Sequence, residues 1–279
     1  MPIHDQSYRR YRGHRHLPGR AWTVVTWAGI KTMVKRRAFI GLLIFAWIPF
    51  IVRAVQIYIA ANFPQATMLA PTAETFREYI DQQGVFVFFV TIYVGSGLIA
   101  NDRRANALQI YLSKPLMRAE YIAGKLAILM AFLLGVTWVP GLLLLLLQVL
   151  FAGSFTFLRA NLFLFPAITL ASLVQVLVSS FTMLALSSLS NSSRYVAILY
   201  AGAVFFTQAL YGVLMAITGS TAISWISFTA NMAQVIDVIF RMKPRYDTPV
   251  AVSVLVIIGL IVVSSSVLER RVRGVEVVT

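Results

Sequence analysis

The chain has no cysteine, and only ten of its 279 residues are acidic. The first absence removes disulfides, iron–sulfur clusters and thiolate zinc sites. The second bears on catalysis. The apolar stretches contain no carboxylate pair, no histidine and no His-Glu-x-x-His, so an intramembrane hydrolase would lack its acid–base groups. A glycine-rich phosphate loop ending in Gly-Lys-Ser or Gly-Lys-Thr is also missing. Gly124-Lys125 is followed by Leu126 and opens an apolar run, so this chain is not expected to cradle a nucleotide. His4, His14 and His16 stand in a polar head without paired carboxylates and make a poor metal set.

What the chain has in excess is apolar surface. It is 59% hydrophobic and 12% charged, with a mean hydropathy of +0.79. A soluble domain is nearer half apolar and a quarter charged, so this is a membrane composition. The formal charge of +14 does not point to nucleic acid, because the bases sit in short segments beside apolar runs.

A membrane-spanning helix needs about 20 mainly apolar residues. Six segments qualify, at 38–60, 84–101, 121–152, 162–189, 195–218 and 249–267. They are hydrophobic all round, which excludes the alternating pattern of an outer-membrane barrel. The reading is therefore an all-α polytopic membrane protein with a six-span domain over 38–267. No short core with a cleavage site precedes the first span, so it is expected to be retained. Six spans bring both termini to one side. Placing them in the cytoplasm puts eighteen Lys and Arg inside and five outside, as the positive-inside rule requires.

Residues 1–20 read as a disordered basic cytoplasmic head and 268–279 as a basic cytoplasmic tail. Between head and first span, AWTVVTWAGIKTMVKRR (21–37) predicts an interfacial amphipathic helix. Trp22, Trp27, Val25, Ile30 and Met33 would face the bilayer, with Lys31, Lys35, Arg36 and Arg37 toward water or lipid phosphate. Outside, 61–83 and 219–248 are longer than turns. Thr72 is a candidate helix cap in the first. In the second, WISFTANMAQVIDVIFRMK predicts an interfacial or partly re-entrant helix broken at Pro244. Such hairpins serve as gates or as lids, and the sequence does not choose.

Within the spans, Arg53 is placed near the outer interface, where it can snorkel. Gln56, Gln148, Gln175 and Gln208 suit helix-to-helix hydrogen bonds. The Ser/Thr-rich end of the fourth span suggests hydroxyls bonded to their own backbone. Pro49 and Pro140 predict kinks in spans one and three.

One interior stretch is unlike the rest. GSGLIANDRRANALQIYLSKPLMRAEYIAGK (95–125) joins spans two and three and is charged. DRRANALQIYL predicts a short amphipathic helix with Ala105, Leu108 and Leu112 on one face, capped by Asn101 or Asp102. Ser113-Lys114-Pro115 ends it, since Pro115 cannot continue the backbone ladder. From charge alone, this is an ordinary basic connector.

The order of residues says more. Gly97, Asp102-Arg103, Leu108, Leu112-Ser113-Lys114-Pro115, Arg118 and Gly124-Lys125 resemble the connector of type-2 ATP-binding-cassette (ABC) permeases, the membrane subunits of many bacterial exporters. The family usually has Glu where this chain has Asp102, and Gly-Thr where it has Asn106-Ala107.

The resemblance implies a coupling helix seated on a separate ATPase subunit. Asp102, Arg103, Arg104 and Arg118 would orient it or meet acidic groups of that subunit, Leu108 and Leu112 would fill its groove, and Ser113, Lys114 and Pro115 would set its exit. It further implies two ATPase copies carrying ATP and Mg, with no cofactor on this chain, and a second permease subunit, identical or related. The location implied is the bacterial plasma membrane, with both termini cytoplasmic and no nucleic-acid partner. Two other classes fit the same spans: an anchor passing ATPase work to an external partner, and a secondary carrier. The carrier normally needs acids or broken helices at the midplane.

Overall fold

The computed structural model describes residues 20–63, 65, 70–107, 117–153 and 156–272. The predicted disordered head apart from Arg20, and the coupling residues Leu108, Leu112, Ser113, Lys114 and Pro115, lie outside the described residues, as does the tail beyond Val272.

All the regular structure among the described residues is helical. Helix α1 (Ala21–Val34) precedes the first span, which is α2 (Arg37–Ala46) followed by α3 (Ile48–Asn62). The second span is α4 (Ala73–Val90), a π-helical turn (Thr91–Gly95) and α5 (Ala100–Arg104). The third is α6 (Arg118–Val136) with α7 (Trp138–Ala152). The short α8 (Thr156–Ala160) leads to α9 (Leu164–Leu189) and α10 (Ser193–Thr218), the fourth and fifth spans. Helix α11 (Phe228–Ile239) precedes the sixth, α12 (Val250–Arg271). Six helices are thus long and apolar enough to cross a bilayer, which makes this a multi-pass membrane protein.

The second, third and fourth spans form the core. Each buries 56% of its most apolar window, against 22% or less for the other three. The fourth span is central, touching the second, third, fifth and sixth. One end of the bundle carries Arg36, Arg37, Arg103, Arg104, Arg118, Lys125 and Arg270, and is here termed the basic end. The opposite, mixed-charge end carries Glu74, Arg77, Asp81, Asp237 and Arg245.

Three spans are broken, and each break is repaired by a neighbour. Pro140 has no N–H to give to the carbonyl of Val136, four residues earlier, so the third span restarts after Thr137. The freed oxygen accepts from Tyr79 Oη of the second span at 3.3 Å. The first span breaks at Trp47, just before Pro49, and the Ala46 carbonyl accepts from Gln83 Nε2 at 3.2 Å. Gln83 Nε2 also donates to Tyr79 Oη at 2.9 Å, so one polar chain joins both kinks through the second span.

The third break is in the second span itself, after the π-helical turn. Ser187 of the fourth span donates to the Ser96 carbonyl at 2.9 Å and accepts from the amides of Ile99 and Ala100, both at 3.1 Å. Ser187 therefore does not bond its own helix, as the sequence suggests for this stretch. Ser188 does, donating to the Ala185 carbonyl at 2.7 Å.

Two boundaries differ from the sequence reading. The second span reaches back to Ala73 rather than 84, because the helical ladder continues through the charged turns that end the apolar run. Thr72 is its N-cap, with its own amide bonded to Thr75 Oγ1 at 3.1 Å. Helix α11 ends at Ile239, well before Pro244. Arg241 terminates it by turning into the left-handed region, with φ of 58°.

Replacing Tyr79 by Phe leaves the Val136 carbonyl without its donor. Unfolding in a mild micelle should then need about 1–3 kcal/mol less free energy than in the unaltered chain. An unchanged denaturation midpoint would show that the kink does not depend on this bond.

Candidate functional site

The basic end holds four of the residues singled out from the sequence: Asp102, Arg103, Arg104 and Arg118. The first three close the second span and the fourth opens the third. Asp102 Oδ2 accepts from Tyr121 Oη at 2.7 Å and pairs with Lys125 Nζ at 2.6 Å. Lys125 also lies 5.4 Å from the centre of the Tyr121 ring. All three groups are largely withdrawn from water, where ion pairs are screened least. Arg103 Nη1 donates to the carbonyl of Ser188, tying the same turn to the end of the fourth span.

The connector at 105–117 is therefore fixed at both ends. Its first residues leave a turn held by the third and fourth spans. Its last residues enter the third span at Arg118, whose first turn is closed by Glu120. Glu120 is buried, and its Oε2 accepts from the Met117 amide at 3.2 Å. Arg104 and Arg118 themselves are exposed and form no ion pair among the described residues.

Here the sequence reading needs correction. Neither Asn101 nor Asp102 caps a new helix, because both lie inside α5, the end of the second span, whose N-cap is Ile99. A continuous helix over 102–112 is also excluded, since the chain turns at Ala105–Asn106. Asn106 has φ of 52°. That conformation is free to glycine, and among other residues asparagine tolerates it best. The glycine that the resemblance leads one to expect here is thus replaced by a residue that keeps the turn.

Helix α1 is also placed differently. Its Ala21 amide donates to Glu120 Oε1 at 3.3 Å, and Thr26 Oγ1 donates to the Gly124 carbonyl at 3.3 Å. A Cβ on Gly124 would come within 2.8 Å of Val25, and one on Gly29 within 2.1 Å of Ile128. Positions 21, 25 and 29 thus step in register with 120, 124 and 128. α1 runs beside the third span in the same direction, rather than across its base, and two glycines permit the close approach. Val25, Ile30 and Met33 face the protein while Trp22 and Trp27 stay exposed, so these five do not share one face as the sequence suggests. Lys31, Lys35, Arg36 and Arg37 are exposed.

The mixed-charge end holds a cluster that sequence reasoning missed. Asp237 of α11 is 1% exposed. Its Oδ1 accepts from Arg77 Nη1 at 3.3 Å and Arg245 Nη2 at 2.6 Å. Its Oδ2 accepts from Arg245 Nε at 2.8 Å and the Arg245 amide at 3.2 Å. Asp81 pairs with the same two arginines. The hydrogen bond to Asp237 holds the Arg245 proton more firmly than in water, and burial pushes the Tyr246 phenol up. Gln234 fastens the same loop, donating to the carbonyls of Tyr246 and Thr248 at 3.0 and 2.8 Å. Arg77 of the second span lies 160 residues from Asp237, so no spacing pattern signals the cluster.

The remaining polar positions divide. Arg53 does not snorkel free: it pairs with Glu78 at 2.9 Å and donates to Gln56 at 3.0 Å. Gln208 Oε1 accepts from Ser227 and Thr229 at 2.5 and 2.8 Å, joining the fifth span to α11. Gln175 Oε1 is buried without a partner. Among the described residues no three acidic or histidine side chains gather as a metal site. Compared with models of protein families and with curated proteins, the chain matches none.

Two outcomes test these clusters. Asp102→Asn and Lys125→Met, combined in a double-mutant cycle on unfolding, should couple by about 0.5–3 kcal/mol. Additive effects would mean the pair fixes nothing. Asp237→Asn removes the one buried carboxylate of the cluster, leaving the more exposed Asp81 to serve both guanidinium groups, and should cost about 3–5 kcal/mol of stability, as breaking a buried pair does. A loss below 1 kcal/mol, on the order of an exposed pair, would remove the network from the fold's supports.

Proposed function

We propose that the chain is the permease subunit of a type-2 ABC transporter, most simply an exporter. On this reading it forms the cargo path in the bacterial plasma membrane, with the basic end and both termini in the cytoplasm. It pairs with a second permease subunit and works with two copies of a separate ATPase that bind ATP and Mg.

The observation that carries the reading is the two-ended fixation of the connector between spans two and three. A segment that must convert the motion of an external subunit into rotation of membrane helices has to be stiff where it joins them. Asp102 with Tyr121 and Lys125, and Arg103 with Ser188, provide that stiffness at the exit from the second span. Glu120 provides it at the entrance to the third. These are the positions, or neighbours of the positions, on which the resemblance rests. An ordinary basic connector needs charge at this place but no such bonds. The left-handed Asn106 adds support, because it retains a turn where the resembling chains carry glycine.

The secondary-carrier reading has less behind it. Such a carrier places acids or broken helices near the middle of the bilayer. The breaks in spans one, two and three are here closed by Gln83, Ser187 and Tyr79 rather than left open to an ion. Glu120 and Asp237 are the buried carboxylates among the described residues, and they sit toward opposite ends, each with its hydrogen bonds made.

Purification of the tagged chain in mild detergent from its own host tests the proposal. A soluble ATPase should co-elute in stoichiometric amount. Arg104→Glu is the sharpest perturbation, because Arg104 is exposed and without an ion-pair partner among the described residues. The variant should insert and purify normally yet lose the ATPase. A chain that elutes alone, without any nucleotide dependence, would overturn the reading.

A further inference from the structure

A cavity of about 450 Å³ lies between the second, fourth and fifth spans and α11, toward the mixed-charge end. That volume is within the range of roughly 300–1,000 Å³ typical of small-molecule sites. Six of its eighteen lining residues are aromatic. Phe88 stacks on Tyr200 at 5.8 Å and meets Phe205 edge-on at 5.2 Å, and Phe228 stands edge-on to Tyr200 at 6.2 Å. Val85, Phe89 and Phe205, which border it, are exposed on the lateral surface, so it communicates with the bilayer side of the bundle.

Two polar features select the occupant. Gln175 lines the cavity, is 4% exposed, and its amide oxygen has no partner. An unpaired acceptor is costly in a membrane interior. The terminal torsion of a glutamine is broad, so the oxygen can turn onto a donor entering the cavity. The second feature is where charge sits. Among the described residues, the ionisable side chains able to carry charge near neutral pH along the wall are Asp81 and Arg245, and they pair with each other at 2.7 Å. A charged group placed beside Gln175 would find no counter-charge.

We propose that this cavity binds a neutral, largely aromatic molecule, its hydrogen-bond donor on the Gln175 amide oxygen and its rings against Phe88, Tyr200 and Phe205. The site goes beyond ATPase coupling and does not depend on it.

2-Phenylindole and 1-methyl-2-phenylindole test the proposal, since they share their rings and differ by one N–H donor. The purified chain in lipid nanodiscs is dialysed against each probe, with protein-free nanodiscs of the same lipid subtracted. 2-Phenylindole should saturate one site and bind about tenfold more tightly than its N-methyl analogue, the worth of one well-made hydrogen bond. Gln175→Met, close in shape and without the acceptor, should erase that difference while keeping the aromatic affinity. Val204→Trp, which fills the cavity, should abolish saturable binding of both. Equal affinities in the unaltered chain would mean that water satisfies Gln175, and would overturn the proposal. So would the absence of saturable binding by either probe. Because the probe pair reads out on the unaltered chain, a variant that misfolds does not blunt the test.

Discussion

A backbone that enters a bilayer must satisfy its own polar groups, and the rest of this structure follows from how it does so at three breaks. A straight helix meets the requirement alone. This chain gives up that simplicity in its first, second and third spans, and at each place a side chain from another span supplies the missing partner. Tyr79 takes up the carbonyl freed by Pro140, and Gln83 takes up Ala46 beside Pro49. Ser187 holds three backbone groups around the gap in the second span. The kinks are thereby joined. The Gln83–Tyr79 chain thus ties spans one, two and three together at their bends.

The same economy explains the two ends. The second span is the common member: Arg77 and Asp81 near its start join the cluster around Asp237, and Asp102 and Arg103 at its finish hold the basic end. That span is secured at both ends, and its one break, around Ser96–Ile99, is bridged by Ser187 of the fourth span.

Much of this was legible in the sequence. The six spans follow from length and hydropathy, and the two proline breaks from the missing N–H of Pro49 and Pro140. What was not legible was partnership. Nothing in the run QVLVSSF tells which of its polar groups will be paired and which left over, and Gln175 is identified only once its neighbours are in place. Asp237 and Arg245 are eight residues apart, but Arg77 lies 160 residues from Asp237, so the joining of the second span to this pair is tertiary. The Gly29 and Gly124 contact was hidden for a different reason. The amphipathic stripe of α1 reads equally well against lipid or against protein, and only the steric void at two glycines separates the cases. The error over Asp102 has the same origin. An acid at the start of a charged stretch has the chemistry of a cap, but here the helix was already running and the carboxylate turned to Lys125.

The two ends differ both in how many bases they hold and in how those bases are used. At the mixed-charge end Arg53, Arg77 and Arg245 are each paired with a carboxylate, and Arg77 and Arg245 converge on one buried group. At the basic end the sole ion pair among the described residues is Asp102 with Lys125, while Lys31, Lys35, Arg36, Arg37, Arg104 and Arg118 remain exposed and uncommitted. Charges paired within the fold contribute structure and little outward field. Unpaired exposed charges do the reverse, and their attraction reaches about 10 Å before salt screens it. The buried charge of one end is therefore satisfied within the fold, with Arg159, Arg241 and Lys243 left exposed around it, while the other end turns most of its bases outward.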